Sequence, residues 1–215
     1  MKLKLWLTLS LLCASMSGLS AEQVSVAEHV SNAELNSSNI KSSAQAGSDT
    51  PFDQMQLRKE AQQKIQQFAS TLKSALVGAI QSGGLAHAVD VCHSTAPQIA
   101  EDLSTEGWHV ARTSLKARNE QNQPDSWEVE MLQTFDQQFK SGIEAKALNA
   151  ELYKQAKFRY MQAIPTDQVC LACHGVSIDA ALSEAINKQY PKDRATGFTL
   201  EDIRGAFTVS KALND

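Results

Sequence analysis

Lys157-Phe158-Arg159-Tyr160-Met161-Gln162-Ala163-Ile164-Pro165 is followed, after a short spacer, by Cys170-Leu171-Ala172-Cys173-His174. The first stretch alternates. Lys157 and Arg159 point to the opposite side from Phe158 and Tyr160, so Phe158 to Ile164 reads as a β-strand that Pro165 ends. The second stretch is a C-x-x-C-H pentapeptide, the attachment signature of a c-type haem. Two cysteines at this spacing can each form a thioether to one vinyl group of the same porphyrin. The histidine directly after them is placed to ligate the iron from the proximal side.

Downstream, Ile178 to Tyr190 reads as a short helix, Tyr190-Pro191-Lys192-Asp193 as a turn, and Arg204 to Val209 as a closing strand. Upstream, Asp125 and Glu128 form a capping-box pattern ahead of a helix carrying Val129, Leu132, Phe135 or Asp136, and Phe139. Lys116 to Pro124 is a polar loop, and Trp108 to Ser114 reads as a strand after Gly107. Earlier still lie two helices. Thr50, Pro51 and Asp53 start the first, with Ala61, Ile65, Phe68, Leu72, Leu76 and Ala79 on one face. Gly83-Gly84 ends it. Leu85, Val89, Cys92, Ala96, Ile99 and Leu103 line one face of the second. Pro97 cannot donate to the carbonyl of His93, which predicts a kink or break beside Cys92. Helices first, then a small antiparallel sheet with helices between strands, is an α+β architecture.

The N-terminus carries an export signal. Lys2 and Lys4 precede the apolar Leu5 to Leu12, and Gly18, Ser20 and Ala21 offer small residues for cleavage before Glu22. The apolar run is too short to span a bilayer, which takes roughly 20 residues. Leu12 ahead of Cys13 is too large for a lipobox, so Cys13 is expected to leave with the signal peptide (1–21). Residues 22–49, rich in Ser, Asn, Ala and Gln, read as a disordered linker, and 50–215 as one folded domain. No later segment reads as a membrane span. The net charge of −4 gives no footprint for nucleic acid or a polybasic anchor. These features place the mature protein in the bacterial periplasm. No nucleophile–base pair, phosphate loop or zinc helix is visible, so the chain does not read as an enzyme.

The mature chain keeps Cys92, Cys170 and Cys173, an odd number that argues against a simple disulfide framework. With Cys170 and Cys173 on one haem, His174 is the proximal ligand. The sixth ligand can come from Cys92, His93, His87, His109 or Met161. Cys92 lies on the apolar face of its helix, and His93 sits about 100° away around it. Met161 shares a strand face with Lys157 and Arg159. Cys92 is equally readable as a small buried hydrophobe. A zinc site of Cys92, Cys170, Cys173 and His174 is the non-haem alternative, as is a thiol redox pair. Arg112, Lys116, Arg118 and Arg204 are candidates to pair with haem propionates, or else plain surface charges.

Several stretches together resemble a known family. They are Val91-Cys92-His93-Ser94-Thr95-Ala96-Pro97-Gln98-Ile99-Ala100; Ala111 to Asn119 with Asn122, Pro124-Asp125 and Trp127-Glu128; Cys170 to Gly175; and Tyr190-Pro191-Lys192-Asp193-Arg194-Ala195-Thr196-Gly197-Phe198 with Arg204-Gly205-Ala206. In this order the chain resembles the exported c-type haem domains with a PAS-like fold and a His/Cys-ligated iron. The resemblance implies a PAS-like antiparallel sheet flanked by helices, thioethers at Cys170 and Cys173, and His174 and Cys92 as axial ligands. One covalent haem c and an electron-transfer role follow as expectations, with a haem-based redox or gas sensor acting through a separate partner as the alternative. The redox partner, the oligomeric state and the reduction potential are open at this level.

Overall fold

The computed structural model describes residues 51–213. The expected signal peptide, the linker and the Thr50 cap lie outside the described residues.

The first element, α1 (Pro51–Leu103), is helical on both sides of one non-helical residue, Gly84, at φ 76° and ψ −171°. Glycine occupies that region without the Cβ clash that other residues meet. The chain reverses there. Ala61, Ile65 and Phe68 of the first arm share a core with Ile99 and Leu103 of the second, and Lys64 Nζ donates to the Leu103 carbonyl at 2.9 Å. The two arms therefore run antiparallel, as the Gly83-Gly84 reading requires. The break expected beside Cys92 is absent: α1 continues through Pro97, and Gly84 is its only non-helical residue. Pro97 and His93 both lie on the exposed side. Water can satisfy the carbonyl that the proline leaves without a donor, while buried Ala96 and Ile99 hold the helix on its other side.

Four antiparallel strands follow: β1 (Trp108–Thr113), β2 (Asn149–Lys154), β3 (Lys157–Pro165) and β4 (Ile203–Ala212), in the spatial order β1-β4-β3-β2. The sheet is flanked by α1 and by α2 (Ser126–Lys140), with the one-turn α3 (Leu171–His174) and α4 (Ala180–Gln189) between β3 and β4. The architecture is α+β, as the sequence pattern indicates. β2 was not foreseen. It is joined to β3 by Gln155 and Ala156, both at positive φ (52° and 51°).

Alternation along β3 builds two cores. Phe158 and Tyr160, with Val110 and Val209 of the neighbouring strands, pack on the arms of α1. Met161 and Ala163, with Ala206 of β4, pack on Leu132 and Phe135 of α2. Each large apolar side chain fully removed from water contributes roughly 1.5–3 kcal/mol. The start of α2 is pinned to the same face. Asp125 and Glu128 form both bonds of a capping box, at 3.0 and 3.1 Å. Glu128 Oε1 also accepts from Arg159 of β3 at 3.0 Å and from Thr208 of β4 at 2.7 Å.

α1 also contains an 18-residue stretch of mean hydropathy 1.2, long and apolar enough by composition to cross a membrane. This corrects the expectation that no such segment follows the signal. Both arms of α1 pack on the sheet, and Leu72, Leu76 and Ile80 near the reversal line a cleft.

Candidate functional site

The tip of the α1 hairpin, the ends of β1 and β4, and the segment from β3 to α4 enclose one cleft of about 1150 Å³, counted to its open mouth. Cys92, Cys170, Cys173 and His174 all line it. So do Arg112, Lys116, Arg118 and Arg204. Four positions chosen for ligation and four chosen for anion pairing thus converge from separate parts of the chain.

The pentapeptide is helical, as a short spacing between two cysteines requires if both are to face one side. A 3₁₀ turn at Gln168–Cys170 runs into α3. Gly175 ends α3, and a Cβ there would meet the Leu171 carbonyl oxygen at 2.5 Å. Backbone bonds then tie the motif to the segment before β4: Phe198 N donates to the His174 carbonyl at 3.0 Å, and Gly197 N to the Gly175 carbonyl at 2.9 Å. The His174 ring faces Phe198 edge-on at 6.4 Å.

His174 Nδ1 lies 2.8 Å from the Ala195 carbonyl oxygen. That contact requires a proton on Nδ1 and leaves the Nε2 lone pair free to ligate. Burial first, then the positive charges of Arg204, Arg118 and Arg112, hold the His174 pKa well below the usual imidazole value, although the Ala195 bond opposes them. The ring is therefore neutral near pH 7, the form a metal needs.

The other candidate ligands separate cleanly. His87, His93 and His109 are exposed and do not line the cleft, and Met161 is fully buried under α2. Cys92 alone among the five faces it. Burial raises the Cys92 thiol pKa, while Arg112, Arg118 and Arg204 pull it down. Among the described residues, no three His, Cys, Asp or Glu side chains close on a point that could hold a bare metal ion. The four candidate ligands line the cleft without converging on one point, unlike a tetrahedral Cys₃His zinc site.

The basic residues also separate. Lys116 is at the surface, with its Nζ 4.8 Å from the Phe198 ring centroid. Arg118 pairs with Asp193 at 3.1 Å. Among the described residues, no carboxylate lies within ion-pair distance of Arg112 or Arg204. Arg112 is surrounded by protein on most sides, and burial, followed by the repulsion of Arg204, pushes its pKa down to about 10. The buried Nε atoms of Arg118 and Arg204 have no hydrogen-bond partner. Arg112 stacks over the Phe68 ring at 5.5 Å but meets no counter-charge there, and two neighbouring like charges favour an anion between them.

A family model, Tll0287-like, matches residues 30–212. The chain belongs to the Tll0287-like family. The crystal structure of the cyanobacterial heme-protein Tll0287 is similar, with a TM-score of 0.54 at 23% identity, covering 77% of this chain and 98% of that one. At that identity the likeness speaks to the fold alone. No curated protein matches. Sequence reasoning singled out the cysteines, the histidine and the arginines of this family member. It missed Tyr190 as a cleft residue, whose hydroxyl burial pushes up, and the Ala195 carbonyl. A backbone acceptor leaves no residue-type signal.

Proposed function

We propose that this Tll0287-like protein is a periplasmic haem protein that carries one covalent haem c and transfers electrons to or from a separate redox partner, without being an enzyme. One observation carries the reading. Cys170, Cys173, His174 and Cys92 share a single cleft with Arg112 and Arg204, two guanidinium groups with no carboxylate in ion-pair distance among the described residues. That donor set fits a porphyrin: two sulfurs for two vinyl groups, one neutral imidazole, one thiol on another wall, and two cations for two propionates. The membership of the family and the likeness to a heme-protein support it.

In this reading a bound haem supplies one iron centre that gains and loses a single electron. The protein's own groups do the rest. Cys170 and Cys173 fix the macrocycle by thioethers. His174 presents Nε2, oriented by the Nδ1 bond to Ala195. Cys92 would be the second protein ligand of the iron, and a thiolate from it would donate electron density and favour the oxidised form. Arg112 and Arg204 take the propionates. Leu72, Leu76, Ile80, Leu85 and Val89 line the cleft and keep water from it.

The test is covalent attachment. Cys170→Ala combined with Cys173→Ala, exported in a host with haem-maturation machinery, is expected to give protein without covalent haem by a denaturing-gel haem stain. Wild-type protein that is colourless, or a double variant that still stains, would refute the proposal.

A further inference from the structure

Arg118 differs from the other cleft arginines because one nitrogen of its guanidinium, Nη2, is already held by protein acceptors. Its Nη2 donates to the Cys173 carbonyl at 2.5 Å and to the Ala195 carbonyl at 3.3 Å, and it pairs with Asp193 at 3.1 Å. Both side chains are largely shielded, at 13% and 5% exposed. Asp193 Oδ1 in turn accepts from Ala195 N at 2.8 Å. The Ala195 residue is thus gripped at both its polar groups. Its N–H is held by a carboxylate, and its carbonyl receives Arg118 and His174 Nδ1–H together.

A carbonyl that accepts from a cation has less negative charge to offer a second donor. Hydrogen bonds in such networks polarise one another, and charged partners do so most. The strength of the Nδ1–H bond governs how much electron density an imidazole passes to a metal on Nε2. Resting on the reading that His174 is the proximal ligand, we propose that Arg118 is a positioning residue that sets the donor strength of His174 through the Ala195 carbonyl. It also fixes the C-terminal end of α3 through Cys173. Neither action requires it to touch the haem. Removing Arg118 leaves the whole carbonyl to His174, strengthens the Nδ1–H bond and favours the oxidised state.

The test uses the exported holo protein. Two quantities are measured: the reduced-to-oxidised ratio at a fixed electrode potential, and the NMR shift and solvent exchange of the His174 Nδ1 proton. Arg118→Gln is expected to lower the ratio roughly tenfold, equivalent to 59 mV for one electron. It should also move the Nδ1 proton downfield and slow its exchange. Arg118→Lys keeps the charge, but its side chain is one bond shorter than the path to Nη2, so it loses the Ala195 carbonyl, the longest of the three contacts at 3.3 Å. It is expected to shift both readouts in the same direction. An unmoved Nδ1 proton in both variants, with the haem still covalent, would overturn the proposal and leave only a bulk charge effect. A wild-type protein without covalent haem would remove the reading beneath it.

Discussion

Cys92 shows how one side chain acquires its role from the backbone that carries it. It lies on the inward face of the second arm of α1, between Val89 and Ala96, and faces the cleft that holds Cys170, Cys173 and His174. If its sulfur is the second axial ligand, Cys92→Ala should keep covalent haem but turn the oxidised spectrum from low-spin to high-spin. The reduction potential should rise, and CO should bind the reduced protein more readily. Absorption and EPR spectra of the variant, with and without CO, check this, and an unchanged oxidised spectrum would exclude Cys92. Much of this site was readable beforehand, because C-x-x-C-H is a chemical signature and a cysteine on an apolar helical face has a defined direction. Helix geometry already put Cys92 ahead of Met161 and the histidines, but the burial of Met161 was not readable. It depends on which face of β3 lies under α2, and that is decided by packing distant in sequence.

At the level of elements, the start of α2 is the best-specified junction. Burial pushes the Asp125 carboxyl up, but the Glu128 amide and Arg159 outweigh it and hold the pKa below the usual carboxylate range. A pKa depressed by folding adds stability above the unfolded value and loses it as pH falls through the folded one. Asp125→Ala is therefore expected to cost about 1 kcal/mol at neutral pH. The difference from wild type should shrink as the pH falls below about 4. Urea unfolding across that range measures it. The capping box was legible because its residues bond locally. β2 was not. Its turn, Gln155-Ala156, has both residues at positive φ but none of the Asn, Asp or Gly that usually marks such a hairpin. Polar Asn149, Glu151 and Lys154 also blur the alternation on an edge strand. Pro97 misled in the opposite sense, because a proline on the solvent side of a well-packed helix leaves only a carbonyl that water can reach.

Across the whole molecule, the cleft sets stability without haem against function with it. Arg112 and Arg204 repel each other, and among the described residues neither has a carboxylate partner. Removing one of two like charges relieves their repulsion and the cost of holding a guanidinium out of water. Arg112→Met should therefore raise the melting temperature of haem-free protein and narrow the gain on haem attachment. Calorimetry of both forms decides it, and equal melting shifts in the two would show that Arg112 meets no anion. Strand order carries a further consequence. β4 is last in sequence but lies inside the sheet, bonded to both β1 and β3, and it brings Arg204 and Gly205 to the cleft. The sheet cannot close until β4 has been synthesised and is free to pair. Residues 168–174 precede it, so during biogenesis there is an interval when both thiols are out but their pocket has no back wall. If haem is attached at these cysteines as proposed, the enzyme that attaches it would meet an open strip of chain in that interval, and β4 would then close over the product.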